Sequence, residues 1–257
     1  MDTLQLKSSK ILLIGELCLD RYLFGSVDRI SPEAPVPVIK KEGIEVKSGM
    51  GGNVRNNLES LGNKVTFLHN EELITKTRII DGTHNQQLLR VDDESYVNRF
   101  DMSSLPELSQ YDAVVVSDYH KGFVPVRILH EISNKAYLKD VPLFIDTKKS
   151  YLNGITNSFI KLNASEYEAL TSPPHQTNHT VVTRGSKGAS YRGTDYPGRE
   201  VPLADPTGAG DTFLAAFTTA YLSCGSIPEA IKFANSCAAV SVTKLGCYAV
   251  RPEDINE

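Results

Sequence analysis

Short apolar runs that give way at once to polar residues recur along this chain, and they leave few folds open. The runs are Ile11 to Ile14, Val65 to Leu68, Ala113 to Val116, Leu143 to Ile145, Phe159 to Leu162 and Val181 to Val182. Helical patterns lie between them: Asn53 to Leu61 carries Val54, Leu58 and Leu61 on one face and stops at Gly62, and Pro125 opens another helix after Lys121-Gly122. This alternation predicts an α/β fold with a mostly parallel sheet and crossover helices. The runs lead into Gly15-Glu16, Ser117-Asp118, Asp146, Asn163 and Thr183-Arg184. Polar residues therefore gather at the carboxyl ends of the strands, the edge where open α/β sheets bind ligands.

The stretch Asp205-Pro206-Thr207-Gly208-Ala209-Gly210-Asp211-Thr212 turns a glycine-rich loop into a helix with a carboxylate at its mouth. Phe213, Leu214, Phe217, Ala220 and Tyr221 recur at helical spacing and Gly225 follows as a stop. Backbone N–H groups at a helix start can hold the oxygens of a moving phosphoryl group. Asp211 would face the same spot and could accept the proton of an attacking hydroxyl. No Gly-Lys-Ser/Thr follows the glycines, so this is not a Walker A loop, and protein-kinase motifs are absent. Ser226-Ile227-Pro228-Glu229 reads as a capping box for a last helix through Ala230, Ala234, Cys237, Ala238 and Ser241.

At 257 residues the chain can hold one large α/β domain. A formal net charge of -4 with interleaved signs predicts neither nucleic-acid nor membrane binding. No apolar run reaches membrane-spanning length, and the first residues lack the pattern of a signal peptide. Cys18, Cys224, Cys237 and Cys247 show no paired spacing, so a reduced, cytoplasmic protein is expected. His175 and His179 lie in a stretch that two prolines make a loop, where a spacing of four carries no metal geometry.

Two regions break the βα rhythm. Leu19 to Lys47 is rich in proline and aromatics and suits a small exposed sheet, and Thr75 to Asp92 reads as a hairpin around Asp81-Gly82. Together they are expected to form a β lid over the active edge.

The glycine loop resembles the second signature of the PfkB (ribokinase-like) carbohydrate kinases. That resemblance implies a ribokinase-like three-layer fold over residues 1–257, with Asp211 as catalytic base and Gly208, Ala209 and Gly210 as anion hole. Gly49, Gly51, Gly52 and Asn53 match the first signature, where the sugar approaches backbone at a helix start. Asp20 resembles the aspartate that grips sugar hydroxyls. Asn163-Ala164-Ser165-Glu166 resembles the motif that organises magnesium and the phosphates of ATP, which makes Asn163 and Glu166 the metal candidates. Thr183, Gly185 and Gly188 match the nucleotide-side loop, and Asn235 lies on the helix beside the adenine. ATP as co-substrate, Mg2+, and K+ near Cys247 are implied with them.

Residues 25–38, Leu19-Asp20-Arg21-Tyr22, Thr75-Lys76-Thr77-Arg78, Asn85-Gln86-Gln87-Leu88-Leu89-Arg90, Ser117-Asp118-Tyr119-His120-Lys121-Gly122 and Lys244-Leu245-Gly246 look like the heptose 7-phosphate kinases within that family. A second phosphate on the sugar needs cations, and Lys76, Arg78, Arg90 and Lys121 are the candidates. The resemblance implies D-glycero-β-D-manno-heptose 7-phosphate 1-kinase activity in lipopolysaccharide core synthesis. The alternatives are a PfkB kinase for another sugar or nucleoside, or a non-catalytic sugar-phosphate sensor. It further implies a homodimer through the lid, and a kinase domain without the adenylyltransferase domain that many relatives carry.

Three departures stand out. Met50 and Arg55 occupy places usually held by glycine and a small residue, and both are expected beside the sugar. Cys247 replaces a threonine. About one βα unit after Val65 to Leu68, and a helix between Leu170 and Thr180, are absent compared with the family.

Overall fold

The computed structural model describes residues 4–84, 86–94 and 96–255. The first half of the chain forms β1 (Lys10–Gly15), β2 (Leu17–Ile30), β3 (Pro37–Met50), α1 (Gly51–Ser60), β4 (Lys64–Leu68), β5 (Ile74–Asp81), β6 (Gln86–Glu94), β7 (Ala113–Asp118) and α2 (Val126–Leu138). The second half forms β8 (Leu143–Thr147), β9 (Phe159–Asn163), α3 (Ala164–Glu168), β10 (His179–Thr183), β11 (Ala189–Tyr191), β12 (Thr194–Tyr196), α4 (Ala209–Cys224) and α5 (Ile227–Ser241).

The six apolar runs all become strands of one eight-stranded sheet, in the order β12-β11-β10-β9-β8-β7-β1-β4. It is parallel from β10 to β4. Helices cover both faces, which explains the unbroken apolar runs. Leu12 and Ile14 pack with Ile128, Leu129 and Ile132 of α2, while Ile11 and Leu13 pack with Leu58 of α1, Phe217 of α4 and Ile231 of α5. The antiparallel end was not legible in advance. Arg192 (φ 49°) and Gly193 (φ 80°) make the tight turn between β11 and β12, a geometry that two-residue hairpins require.

The two segments that break the βα rhythm form a second sheet, ordered β3-β2-β5-β6. β2 pairs antiparallel with β3 and parallel with β5, and β5 pairs antiparallel with β6. Proline at Pro37 begins β3, an edge strand, where a missing N–H is tolerated. Asn85 of the expected hairpin lies outside the described residues.

The two shortenings are visible. β4 is the sheet edge and passes to β5 through residues 69–73 alone. α3 has only five residues, and no helix follows before β10.

Two expectations need correction. Ser226 accepts from Glu229 N at 3.5 Å, but the Glu229 carboxylate pairs with Lys232 at 2.8 Å instead of returning to the cap. A capping box does form at Asn163 and Glu166. His179 opens β10 and meets Tyr191 Oη at 2.7 Å, so it belongs to the sheet and not to a loop. Met50 is buried in the core, and Arg55 pairs with Glu59 on α1 at 3.6 Å.

Candidate active site

The carboxyl edge of β1, β7, β8 and β9 and the start of α4 meet at Asp211. It sits in the first turn of α4 and is 3% exposed. Asn53 Nδ2, from α1, donates to its Oδ2 at 3.0 Å, and Tyr119 Oη, just after β7, donates to its Oδ1 at 2.5 Å. Burial pushes the Asp211 carboxyl up to about 6, against the lowering effect of those two donors. Burial likewise raises the Tyr119 phenol far above its usual range, with Asp211's charge adding to it, so Tyr119 stays a neutral donor.

Two glycines of the loop are needed for space. Gly208 has φ 81°, and a Cβ there would stand 2.5 Å from Asn53 Nδ2. A Cβ on Gly210 would stand 2.8 Å from Lys161 Nζ. Lys161 therefore sits against the proposed anion hole, and it is paired with Asp146 at 2.7 Å, both groups buried.

A cavity of about 520 Å³ runs from Asp211 over the end of the sheet. Asn163, Thr183, Gly185, Gly188, Asn235, Gly208, Ala209 and Gly210 all line it, as do Tyr119, Asp146, Lys148 and Lys161. Its far end is apolar, formed by Val201, Leu203, Ala238, Ala239 and Val242, which suits a nucleobase. Asn235 Nδ2 is committed to the carbonyls of Tyr196 and Pro197, so it holds the β12 exit loop in place.

Asn163 and Glu166 serve the protein itself in this state. Asn163 Oδ1 accepts from Glu166 N at 2.8 Å, Glu166 Oε2 accepts from Asn163 N at 2.7 Å, and Glu166 Oε1 is paired with Lys148. A divalent cation fits here for another reason: Asp146 Oδ1 is buried, lines the cavity and has no hydrogen-bond partner among the described residues. An orphaned buried carboxylate oxygen is a group that a cation would satisfy. Potassium has no such indication. Asp205 already accepts from Thr207 N and Gly246 N, and Lys47 Nζ donates to the Leu245 carbonyl.

On the other side of Asp211 the lid presents Asp20, Lys76 and Arg78. Arg78 Nη1 lies 2.5 Å from Asp20 Oδ1, both groups buried. Cys247 Sγ is 3.8 Å from Asp20 Oδ2, and burial pushes the nearby Cys18 thiol up to about 12. Lys121 Nζ lies 2.5 Å from Glu94 Oε2, and Lys76 Nζ 3.6 Å from Glu94 Oε1, so two ammonium groups converge on one carboxylate. Arg90 does not join them, because its guanidinium is turned onto Asp92 at 2.8 and 3.0 Å.

Sequence reasoning did not single out Tyr119, Asp146, Lys148 and Lys161 for roles here. Tyr119 lies inside the motif Ser117 to Gly122, and Asp146 ends an apolar run. Lys161 is a charged residue inside an apolar run, the one signal that could have marked it.

A three-layer α/β fold with a glycine-led helix start and a buried carboxylate at its mouth fits a ribokinase-like sugar kinase. Residues 48–254 match the pfkB family carbohydrate kinases, and the chain belongs to that family. It is 30% identical over 299 aligned positions to the Bifunctional protein HldE of Shewanella sp. (strain ANA-3), covering 95% of this chain and 62% of that protein. It is 31% identical to the Bifunctional protein HldE of Actinobacillus pleuropneumoniae, covering 96% and 63%. The chain thus spans less than two thirds of the length of these curated relatives. Among solved structures, phosphofructokinase-2 from Escherichia coli in complex with potassium superposes with a TM-score of 0.74 at 14% identity, covering 98% of this chain and 97% of that one. Ribokinase from Thermotoga maritima gives 0.68 at 19%, covering 96% and 98%.

Proposed function

We propose that this carbohydrate kinase transfers the γ-phosphoryl group of ATP to a sugar phosphate, and that the acceptor is D-glycero-β-D-manno-heptose 7-phosphate, giving the 1,7-bisphosphate. The observation that carries the transfer is the buried Asp211 carboxylate at the start of α4, between the cavity and the lid. The heptose assignment rests on the motif resemblance, on the likeness to the HldE proteins, and on Lys76 and Lys121, which would hold the second phosphate.

In this mechanism the anomeric hydroxyl oxygen attacks phosphorus, the bond from phosphorus to the β,γ-bridging oxygen breaks, and ADP leaves. Asp211 takes the hydroxyl proton. The N–H groups of Gly208 to Gly210 and the ammonium of Lys161 hold the transferring group, and Arg78 fixes Asp20 against the sugar hydroxyls. Asp146 and Glu166 would hold a magnesium ion, which when bound offsets the charge of the phosphates.

The lid's outer face is the basis for a homodimer. Register pairs Leu23 with Ile44 and Ile79, and Ile79 with Leu89, so one apolar row crosses all four strands. Ile44, Val46, Leu89 and Val91 on this face are exposed, and a second copy would cover them. Light scattering of wild type and Val91→Arg tests this, the variant being expected to run as a monomer.

Acceptor-dependent ADP release across a panel of phosphorylated and plain sugars tests the assignment. Turnover confined to heptose 7-phosphate is expected. Equal rates on plain sugars would remove the second-phosphate site, and no turnover with any acceptor would favour a sensor.

A further inference from the structure

Glu16 follows β1 directly and is fully buried. Its Oε2 accepts from Tyr119 N at 2.8 Å, and its Oε1 accepts from Lys121 N at 3.0 Å and Phe123 N at 3.3 Å. Its backbone carbonyl accepts from Gly51 N at 2.8 Å, the first residue of α1. These four bonds reach two segments that meet again at Asp211. Residues 119–123 carry Tyr119, the donor to Oδ1, and α1 carries Asn53, the donor to Oδ2.

Among the described residues Glu16 has no ion pair, and its nearest charged influence is repulsive: burial first, then Asp118, push its carboxyl above the usual range. A buried carboxylate without a cation is costly. A neutral replacement would nevertheless serve worse. Three N–H groups converge on two oxygens, and glutamine would turn its NH2 donors against at least one of them.

We propose that Glu16 is a positioning residue for phosphoryl transfer, fixing Tyr119 and Asn53 on opposite oxygens of Asp211 so that the base faces the acceptor hydroxyl. The same bonds hold Lys121, which pairs with Glu94, the carboxylate that Lys76 also meets at the acceptor end of the site. The proposal rests on the reading of Asp211 as the base. The charged and titratable groups around Asp211 are Asp146, Lys148, Lys161, Tyr119, Cys18 and Cys247, and of these only Tyr119 is hydrogen-bonded to Glu16.

The test is a cycle of Glu16→Gln, Tyr119→Phe and the double variant in acceptor-dependent ADP release, with Asp211→Asn as control. Each single change is expected to lower kcat about tenfold with the KM for ATP unchanged, and the double variant to fall no further than about twofold below the slower single one. Losses that multiply to about a hundredfold, or an unchanged kcat in Glu16→Gln, would overturn the proposal. If Glu16→Gln does not fold, Glu16→Asp replaces it, keeping the charge but shortening the reach, under the same criteria. Wild-type turnover in Asp211→Asn would instead overturn the reading of the base, and a normal Glu16 variant beside an inactive Asp211→Asn would sink this inference alone.

Discussion

Tyr119 Oη stands 2.5 Å from Asp211 Oδ1, and because burial keeps the phenol neutral the hydrogen bond runs from tyrosine to carboxylate wherever Asp211 is ionised. A donor to a carboxylate favours its ionised form. With Asp211 at about 6, kcat/KM is expected to rise with pH through about 6 as the base ionises. Tyr119→Phe should move that acidic limb upward. A limb that stays put or moves down would remove Tyr119 from the tuning of the base.

Asp211→Asn is expected to lower kcat by roughly 10²-fold or more while leaving ATP affinity nearly intact, as for a lost general base. It carries a stability signature as well. The folded-state pKa is raised from 3.8 to about 6, so the neutral form is the one the fold favours. That stability is present below about pH 4 and is lost, up to about 3 kcal/mol, as pH rises through 6. Asp211→Asn should therefore have a higher Tm than wild type at pH 8, with the gap closing toward pH 4. A gap that widens in acid would contradict the direction of the shift.

If Asp146 and Glu166 hold magnesium, Asp146→Asn and Glu166→Gln should each raise the magnesium concentration needed for half-maximal activity about tenfold, together with the KM for ATP. Glu166→Gln should also free Lys148 from its ion pair. Magnesium titrations indistinguishable from wild type would leave the two carboxylates with structural roles only.

Lys76 and Lys121 share Glu94, whereas Arg90 is held by Asp92. Alanine at either lysine should raise the KM for a phosphorylated sugar more than tenfold, about 1.5 to 3 kcal/mol for a charge-assisted contact, without moving that for ATP. Arg90→Ala should change it by less than about twofold, the modest effect of losing an exposed ion pair. The reverse ranking would place the acceptor phosphate at Arg90.

Met50 has φ 53° and ψ -132°, a backbone region natural to glycine, yet its side chain is buried. Losing the side chain costs about 2 to 5 kcal/mol, and relieving the strain returns about 1 to 3. Met50→Gly is thus expected to be less stable than wild type but more stable than Met50→Ala, which loses the side chain and keeps the strain. Elsewhere alanine is the better residue by about 0.5 to 1 kcal/mol, so denaturant melts showing the ordinary order would argue against strain at this position.

The parts readable in advance are those fixed by local pattern. A strand buried on both faces must be apolar along its whole length, so Ile11 to Ile14 and Ala113 to Val116 announced themselves. The stretch from Asp205 to Thr212 announced a helix start with a carboxylate because its glycines and Asp211 are adjacent in the chain. The β11–β12 hairpin was missed because three-residue strands carry too little alternation, although Arg192-Gly193 supplied the turn.

Partnership was beyond the sequence. Asn163-Ala164-Ser165-Glu166 reads equally as a metal motif and as a capping box, and only the folded chain shows that both side chains cap α3 while Lys148 takes the remaining oxygen. Lys76, Arg78, Arg90 and Lys121 look alike as four cations. Which pair converges and which residue is turned away follows from strand register and from where Glu94, Asp20 and Asp92 come to rest. The sequence alone determined the α/β architecture and the helix start that carries Asp211, because periodicity and adjacency act over a few residues. Tertiary structure decided how that carboxylate is held, since Glu16, Asn53, Tyr119 and Asp211 lie far apart in the chain and meet only where the strand ends, α1 and α4 close on one another.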